Sequence, residues 1–477
     1  MQRVIDKWDA ITYYAYKFKN GITLCFEGSG TRKIISADAW ANVSKIYING
    51  IQTNKSEFEL NNTYNMNTYQ YNFSNGGRHY ITFEFSSIPD SCFPSYFVSE
   101  ATDAIVGYNI ISIGKIFVNS SIHRIHLLNY SIRSLDAYAF KDTHGLHYMY
   151  IPDNITAMGG ETFTNSNTRE IRLPRNASIN VINSSFAAQT TGFPLKSLYI
   201  PDCYTEIEAD AFNYCTELKY IKFPNSLHII GANAFEKCGN SNSPIDLYFN
   251  SNNLSLIDNF AFKGSYLGNI IWENSVNGLT FSLGEGVFQE THLNRASVPN
   301  GLKIISDSLF KSSDIYVAYN YYNNSDYLPD SVTLIQQYAF AYCENLEYFP
   351  FNENTSSLTT IHMHAFDGCI EMCSNDYQLN LPPSCNKIFG YAFARCTNIK
   401  KVYFKYNKSN TIQVNAYAFY ECTNLTDVYF TGTYSDLIVY NDSFPQNTTI
   451  HLGNNISDSK YREIQTNCAG YGWYITR

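Results

Sequence analysis

Charge is scarce in this chain. Asp, Glu, Lys and Arg make up 16% of its 477 residues, against roughly a quarter in an average soluble domain. What charge there is leans acidic, with 33 Lys and Arg against 42 Asp and Glu, a net of −9. With no basic run, the sequence offers neither a nucleic-acid footprint nor an attraction to anionic lipid. Long apolar stretches are missing too, and no uncharged run approaches the ~18 residues that crossing a bilayer takes. No apolar segment follows Met1-Gln2-Arg3-Val4-Ile5-Asp6-Lys7-Trp8-Asp9, where a secretory signal peptide would need ~7–15 such residues. Display outside a cell would then be reached by another route. The 12 Cys are too thinly spread for a small disulfide scaffold. Sequons such as those at Asn42, Asn72, Asn154 and Asn183 are what so Asn-rich a chain contains by chance. Aromatics, by contrast, abound: 40 Tyr, 32 Phe and 4 Trp. Such a chain has material for a large core, which excludes wholesale disorder.

The cysteines open the pattern. Cys215, Cys238, Cys343, Cys369, Cys396 and Cys422 each stand three residues after a Phe, usually one preceded by Ala. Alignment on that Phe gives thirteen copies: Phe140, Phe163, Phe186, Phe212, Phe235, Phe262, Phe288, Phe310, Phe340, Phe366, Phe393, Phe419 and Phe444. Twelve steps over 304 residues make a mean period of about 25. Five residues before every Phe stands an apolar residue, from Leu135, Met158 and Val181 through Ile388, Val414 and Val439. Six after it often comes another, as at Leu146, Leu218, Leu346, Ile399 and Leu425, followed by a short alternating strand. One strand per unit at this period indicates a leucine-rich-repeat solenoid, in which each unit buries its apolar edge only by stacking on the next. Inward residues are expected at Met149 and Ile151, Ile221 and Phe223, Leu247 and Phe249, Val402 and Phe404, and Val428 and Phe430. The Phe side chains are expected to stack on the opposite side, with Ala permitting close approach.

The run Ile207, Ala211-Phe212, Cys215, Leu218, Ile221, Phe223-Pro224 resembles the BspA-like leucine-rich repeat almost position by position. The resemblance covers roughly residues 86–450 and is best from 205 to 240 and from 331 to 430. Copies at Phe163, Phe186, Phe288 and Phe310 lack the Ala or the Cys, which leaves their register open. The asparagine ladder of animal and plant leucine-rich repeats is absent. The resemblance implies non-enzymatic binding, as in surface and adhesion proteins of bacteria and some protists or structural proteins of phages, and it brings no catalytic residues.

The expected fold is therefore a β-rich solenoid of about 13–15 units with covered ends. Residues 1–85 are read as an N-terminal β domain or cap, with a hairpin at Asn20-Gly21 between Tyr13–Phe18 and Ile22–Phe26. Further alternation appears at Lys45–Ile48, Thr68–Phe73 and His79–Phe85, and Ile35 with Ala39-Trp40 faintly echoes the repeat. Residues 86–450 form the solenoid, with decayed copies at Phe93 (after Ile88) and Phe117 (after Ile113). Residues 451–477 form a C-terminal cap after a last strand at Ile450-His451-Leu452, with Tyr461, Ile464, Cys468, Tyr471, Trp473 and Ile475 on its apolar side.

Searches for chemistry return little. Gly28-Ser29-Gly30-Thr31-Arg32-Lys33 lacks the spacing of a phosphate loop and reads as a hairpin connection. His-Glu-x-x-His, Cys-x-x-Cys and a nucleophile elbow are all missing. Of the histidines, His123 and His147 precede inward residues by two, so neighbouring repeats would stack them, but zinc would need further ligands that are not evident. The repeat cysteines read as small buried apolar groups. Carboxylates including Glu206, Asp246, Glu347 and Asp427 do not recur as a pair on one strand face at the separation glycoside hydrolysis needs. No enzyme, metal or cofactor is expected.

One column rises above this background. Between the two inward residues of each strand lies one pointing outward. In order these are Tyr150, Arg172, Tyr199, Lys222, Tyr248, Ile271, Ser297, Tyr316, Tyr348, Asn380, Tyr403, Tyr429 and His451. Seven are Tyr, which gives large contact area, little rotamer entropy and a polar tip. Tyr is also a good strand former, and cross-strand aromatic pairs stabilise sheets by ~0.2–1 kcal/mol each, which accounts for the column equally. The function expected is recognition or adhesion at an extracellular or particle surface, with a protein or glycan receptor held on Tyr150, Tyr199, Tyr248, Tyr316, Tyr348, Tyr403 and Tyr429. The alternative is a virion component attached to a larger assembly through residues 1–85. Neither involves nucleic acid or membrane insertion.

Overall fold

A computed structural model describes residues 21–62, 67–86, 100–107, 110–127, 132–190, 195–249, 253–273, 281–318, 327–352, 356–406, 411–432, 436–453 and 456–477. They fall into two compact units, Met1–Leu227 and His228–Arg477. In both units the repeat produces the same arrangement. A short parallel strand precedes the Phe and a second parallel strand follows it, each pairing with its counterpart in the next repeat.

The first unit begins with antiparallel structure. Ile22–Glu27 pairs with Arg78–Phe85 on one side and Asp103–Val106 on the other, and Arg78–Phe85 continues to Val43–Ile48 and Ile51–Thr53. Gly30–Ser36, Thr68–Phe73 and Glu59–Asn61 make a second sheet. Gly28-Ser29 thus turns the chain from one sheet into another, where a hairpin connection was expected. Gly21 (φ +100°) is required, because a Cβ there would lie 1.9 Å from the Phe83 carbonyl oxygen. The hairpin expected at Asn20-Gly21 lies mostly outside the described residues, as does the copy at Phe93. Ile35 and Trp40 do not repeat the motif. Ile35 belongs to a strand, while Trp40 lies in the five-residue helix Ala37–Ala41 capped by Ser36 and stacks on Tyr69 at 4.1 Å.

Asp103–Val106 then pairs in parallel with Arg124–Leu127, which hands the antiparallel sheet over to the repeats. The copy at Phe117 takes part in the stack, with its aliphatic residue four positions before the Phe instead of five. Ile113 is buried, its strand pairs with Ser134–Leu135, and the Phe117 ring lies 5.9 Å from Phe140. Onward in this unit the ring centroids are 5.1 Å (140–163), 5.3 Å (163–186) and 6.1 Å (186–212) apart. The last two pairs are edge-on, and this is where the copies are irregular. At Phe186 the inward residue is Ile182, fully buried and paired with Ile207, so Val181 is displaced by one position. In the second unit the ladder runs without a break from Phe235 to Phe444 at 5.1–5.8 Å. Every expected inward residue of the strands is buried.

The turn around each Phe carries a backbone feature with a physical cause. Tyr338, His364, Tyr391 and Tyr417, two before Phe, have φ of 56°, 56°, 59° and 63°; Ser312, Tyr342, Arg395 and Glu421, two after, have 57°, 58°, 58° and 58°. Left-handed backbone at non-glycine residues is uncommon and most costly for β-branched ones. Here it turns amide groups toward the next repeat. Phe340 N–H donates to Ala365 O at 2.8 Å, Phe366 N–H to Ala392 O at 2.7 Å, and Tyr342 N–H to Asp367 O at 2.7 Å. The strain is offset by a third hydrogen-bond ladder across the repeats.

The cysteines complete that ladder. The thiols of Cys343, Cys369, Cys396 and Cys422 donate to the carbonyl oxygens of Phe310, Phe340, Phe366 and Phe393 at 3.0, 3.1, 3.1 and 2.9 Å. Ser265 and Ser313, at the same position, donate to Phe235 and Phe288 at 2.7 and 2.6 Å. The position calls for a small buried donor, so the reading of these thiols as merely apolar is incomplete. Burial pushes the Cys343 and Cys422 thiols up to about 12, which keeps them protonated and able to donate.

At the C-terminal end Ile464, Cys468 and Trp473 are buried. After Thr449–Leu452 comes a helix, Asp458–Ala469, and then a further strand, Tyr474–Thr476, pairs in parallel with Thr449–Leu452. Trp473 is buried at 5.5 Å from Phe444 and donates from Nε1 to the Phe444 carbonyl at 3.2 Å, closing the Phe ladder.

Candidate binding surface

In the first unit the strands Tyr148–Tyr150, Glu170–Arg172, Ser197–Tyr199 and Tyr220–Lys222 are parallel and in register. Met149, Ile171, Leu198 and Ile221 point inward, so alternation sends the residues on either side outward. Two outward columns result: Tyr148-Glu170-Ser197-Tyr220 and Tyr150-Arg172-Tyr199-Lys222. Tyr148, Tyr150, Tyr199 and Tyr220 keep 59%, 57%, 45% and 51% of their surface exposed. Between the columns lies an open groove of about 430 Å³ walled by Tyr148, Tyr150, Glu170, Arg172, Tyr199 and Tyr220. Arg172 lies 4.3 Å over the Tyr150 ring and donates to both Asp153 carboxylate oxygens at 3.0 and 3.1 Å. That pairing, with the Arg175 N–H, holds the Asp153 carboxyl below its usual range. Lys222 lies 5.6 Å over Tyr199.

The second unit places its tyrosines differently. Tyr248 is exposed opposite Ile271. Ser297 is buried, contrary to its expected outward position; the strand there ends at Ala296, so the in-and-out alternation does not extend to it. Tyr316 and Tyr348 are exposed, and the Glu347 N–H donates to Tyr316 O at 3.0 Å. The column is then interrupted, since Cys373, in a segment inserted before the next strand, donates its N–H to Glu347 O at 2.8 Å. It resumes as Asn380, Tyr403, Tyr429, His451 and Thr476. Tyr403 and Tyr429 are half-buried by stacking at 4.6 Å, and Tyr429 stacks on His451 at 4.2 Å, so their ring faces are spent on one another. His451 is fixed by Asp427 at 2.7 Å on Nε2 and Thr476 at 2.8 Å on Nδ1. Burial pushes the Asp427 carboxyl up, but hydrogen bonds from His451 and Thr426 more than offset it and leave it lowered.

Within the second unit the expected column is therefore broken between Tyr348 and Asn380. Sequence reasoning missed the column that begins at Tyr148, though strict alternation across three-residue strands signals it. His123 and His147 do neighbour each other, but edge-on at 6.4 Å. Among the described residues no group of three or more His, Cys, Asp or Glu is placed to hold a metal ion, and no helix is long and apolar enough to cross a membrane.

A leucine-rich repeat protein of Bacteroides ovatus is 20% identical, with a TM-score of 0.50 over 70% of this chain and 84% of that one. The pneumococcal vaccine antigen PcpA is 19% identical, with a TM-score of 0.35 over 69% of this chain and 78% of that one. A leucine-rich cell surface protein of Faecalibacterium prausnitzii is 17% identical, with a TM-score of 0.32 over 64% and 83%. No curated protein matches the chain. The model of the BspA type leucine rich repeat region matches residues 67–192, 189–317 and 315–451. With its stacked Phe turns and paired parallel strands, the chain belongs to the BspA-type leucine-rich repeat family.

Proposed function

We propose that this protein is a non-catalytic recognition module displayed at a surface, holding a protein or glycan receptor on the outward strand face. The observation that carries this reading is the groove of the first unit. Four exposed tyrosines on registered strands surround it, and Tyr supplies contact area and hydroxyls at low entropic cost. The family supports it, because BspA-like proteins commonly bind or adhere at cell surfaces. The patch at Tyr403 and Tyr429 is the weaker candidate, since its ring faces are already stacked.

The test is a screen of the immobilised protein against purified extracellular-matrix proteins and a glycan array, repeated with Tyr150→Ser/Tyr199→Ser. Loss of one central hot spot is worth about 2 kcal/mol. The double variant should therefore weaken any interaction found at least tenfold and leave the melting temperature nearly unchanged. Unaltered binding by a folded double variant would remove the groove from consideration.

A further inference from the structure

A column of basic residues borders the same groove where its strands begin. Arg169, Lys196 and Lys219 occupy equivalent positions in three successive repeats. Arg169 N–H donates to His147 O at 2.8 Å, Lys196 N–H to Arg169 O at 2.8 Å, and Lys219 N–H to Lys196 O at 2.9 Å. Upstream the column continues through half-buried His147 to exposed His123. Arg169, Lys196 and Lys219 are all exposed, and among the described residues none forms an ion pair, a side-chain hydrogen bond or a ring contact. Glu170 and Glu217 stand in adjoining positions, and neither neutralises the column.

The fold gains nothing from this arrangement. Like charges on neighbouring strands about 4.8 Å apart repel and destabilise the sheet. Nor does the repeat demand cations there. Among the described residues of the second unit the equivalent positions include Asn294, Tyr316, Glu347, Tyr377, Lys400 and Thr426, and the cation there, Lys400, lies 3.8 Å over the Tyr377 ring. Three unpaired cations in line on a chain of net charge −9 mark a site for a complementary anion.

We infer that the column binds a linear anionic glycan, one bearing a carboxylate or sulfate on successive sugars, laid across the strands with its uncharged faces toward the groove tyrosines. The spacing selects the ligand. Same-side residues of an extended peptide recur every ~6.8 Å and fall out of step with strands ~4.8 Å apart within three strands, a repeat to which the charges of a glycan are not bound. This inference rests on the recognition reading above and names its ligand class.

The test uses the full chain with four polymers: polygalacturonate, dextran sulfate, neutral dextran and poly-L-glutamate. Polygalacturonate or dextran sulfate should bind, which assigns the group, and affinity should fall as ionic strength rises. Neutral dextran should not bind. Arg169→Glu/Lys196→Glu/Lys219→Glu should lose at least tenfold in affinity, while Lys303→Glu/Lys387→Glu, which lowers charge on exposed sites of the second unit, should not. Poly-L-glutamate binding as tightly as the glycans, or an unchanged triple variant, overturns the inference. A chain that binds a protein or neutral glycan through Tyr150 and Tyr199 but neither acidic glycan overturns it too, and leaves the recognition reading standing.

Discussion

At Cys396 a thiol does what a hydroxyl does elsewhere in the stack. Its S–H reaches the Phe366 carbonyl at 3.1 Å, and Ser313 reaches Phe288 in the same way at 2.6 Å. Burial raises the Cys396 pKa well above its ordinary value, which keeps the thiol protonated and able to donate. Cys396→Ser should therefore retain the bond. Cys396→Val removes the donor and adds a branched side chain to a filled site, costing about 1–3 kcal/mol. Urea unfolding should rank wild type and Ser together and Val clearly lower; equal stability of Val and Ser would show the rung to be immaterial. The equivalence was visible in the sequence, since Ser265 and Ser313 stand where other copies have Cys. Only the pairing distances show that a shared donor, rather than shared size, explains it.

At the level of elements, the junction between the antiparallel sheet and the first repeat strand depends on Asp103. This buried carboxylate accepts from Arg124, His126 and Thr102. Burial pushes its pKa up, but the hydrogen bonds of His126 and Arg124 dominate and hold it well below the carboxylate range. The folded value lies below the unfolded one, so the stabilisation is full above about pH 4 and disappears as pH falls toward the folded value. Arg124 is half exposed, which limits the contribution at neutral pH to roughly 1–3 kcal/mol. Asp103→Asn should lower stability at pH 7, and the gap from wild type should narrow as pH drops below 4. A gap that stays constant with pH would exclude the ionised carboxylate as its source. None of this was legible beforehand. The sequence placed Asp103 in a decayed stretch, and only pairing of Asp103–Val106 with both Ile22–Glu27 and Arg124–Leu127 makes it a junction.

For the molecule as a whole, stability is carried by stacking of each repeat on its neighbours within a unit. Phe366 is fully buried between Phe340 and Phe393 at 5.1 and 5.2 Å. Phe366→Ala should cost about 3–5 kcal/mol. Tyr248→Ser, on the exposed face, should cost under 1 kcal/mol. Calorimetry that finds the two alike would contradict the division between a structural interior and a free outer face.

The recurrence of Phe, of the aliphatic residue five before it and of the small residue three after it determined the interior by itself. Burial recurs once per repeat and forces the same residue types into the same columns. Where a turn is one residue short, as at Phe186, the column slips from Val181 to Ile182, which repeat spacing alone does not reveal. Tertiary structure decided which surface residues become neighbours. Arg169 and Lys196 are 27 apart in sequence and Lys196 and Lys219 only 23, so no fixed period aligns them. Hydrogen-bonded register, indifferent to loop length, draws them into one line, and the same register turns some tyrosines toward solvent and stacks others on each other.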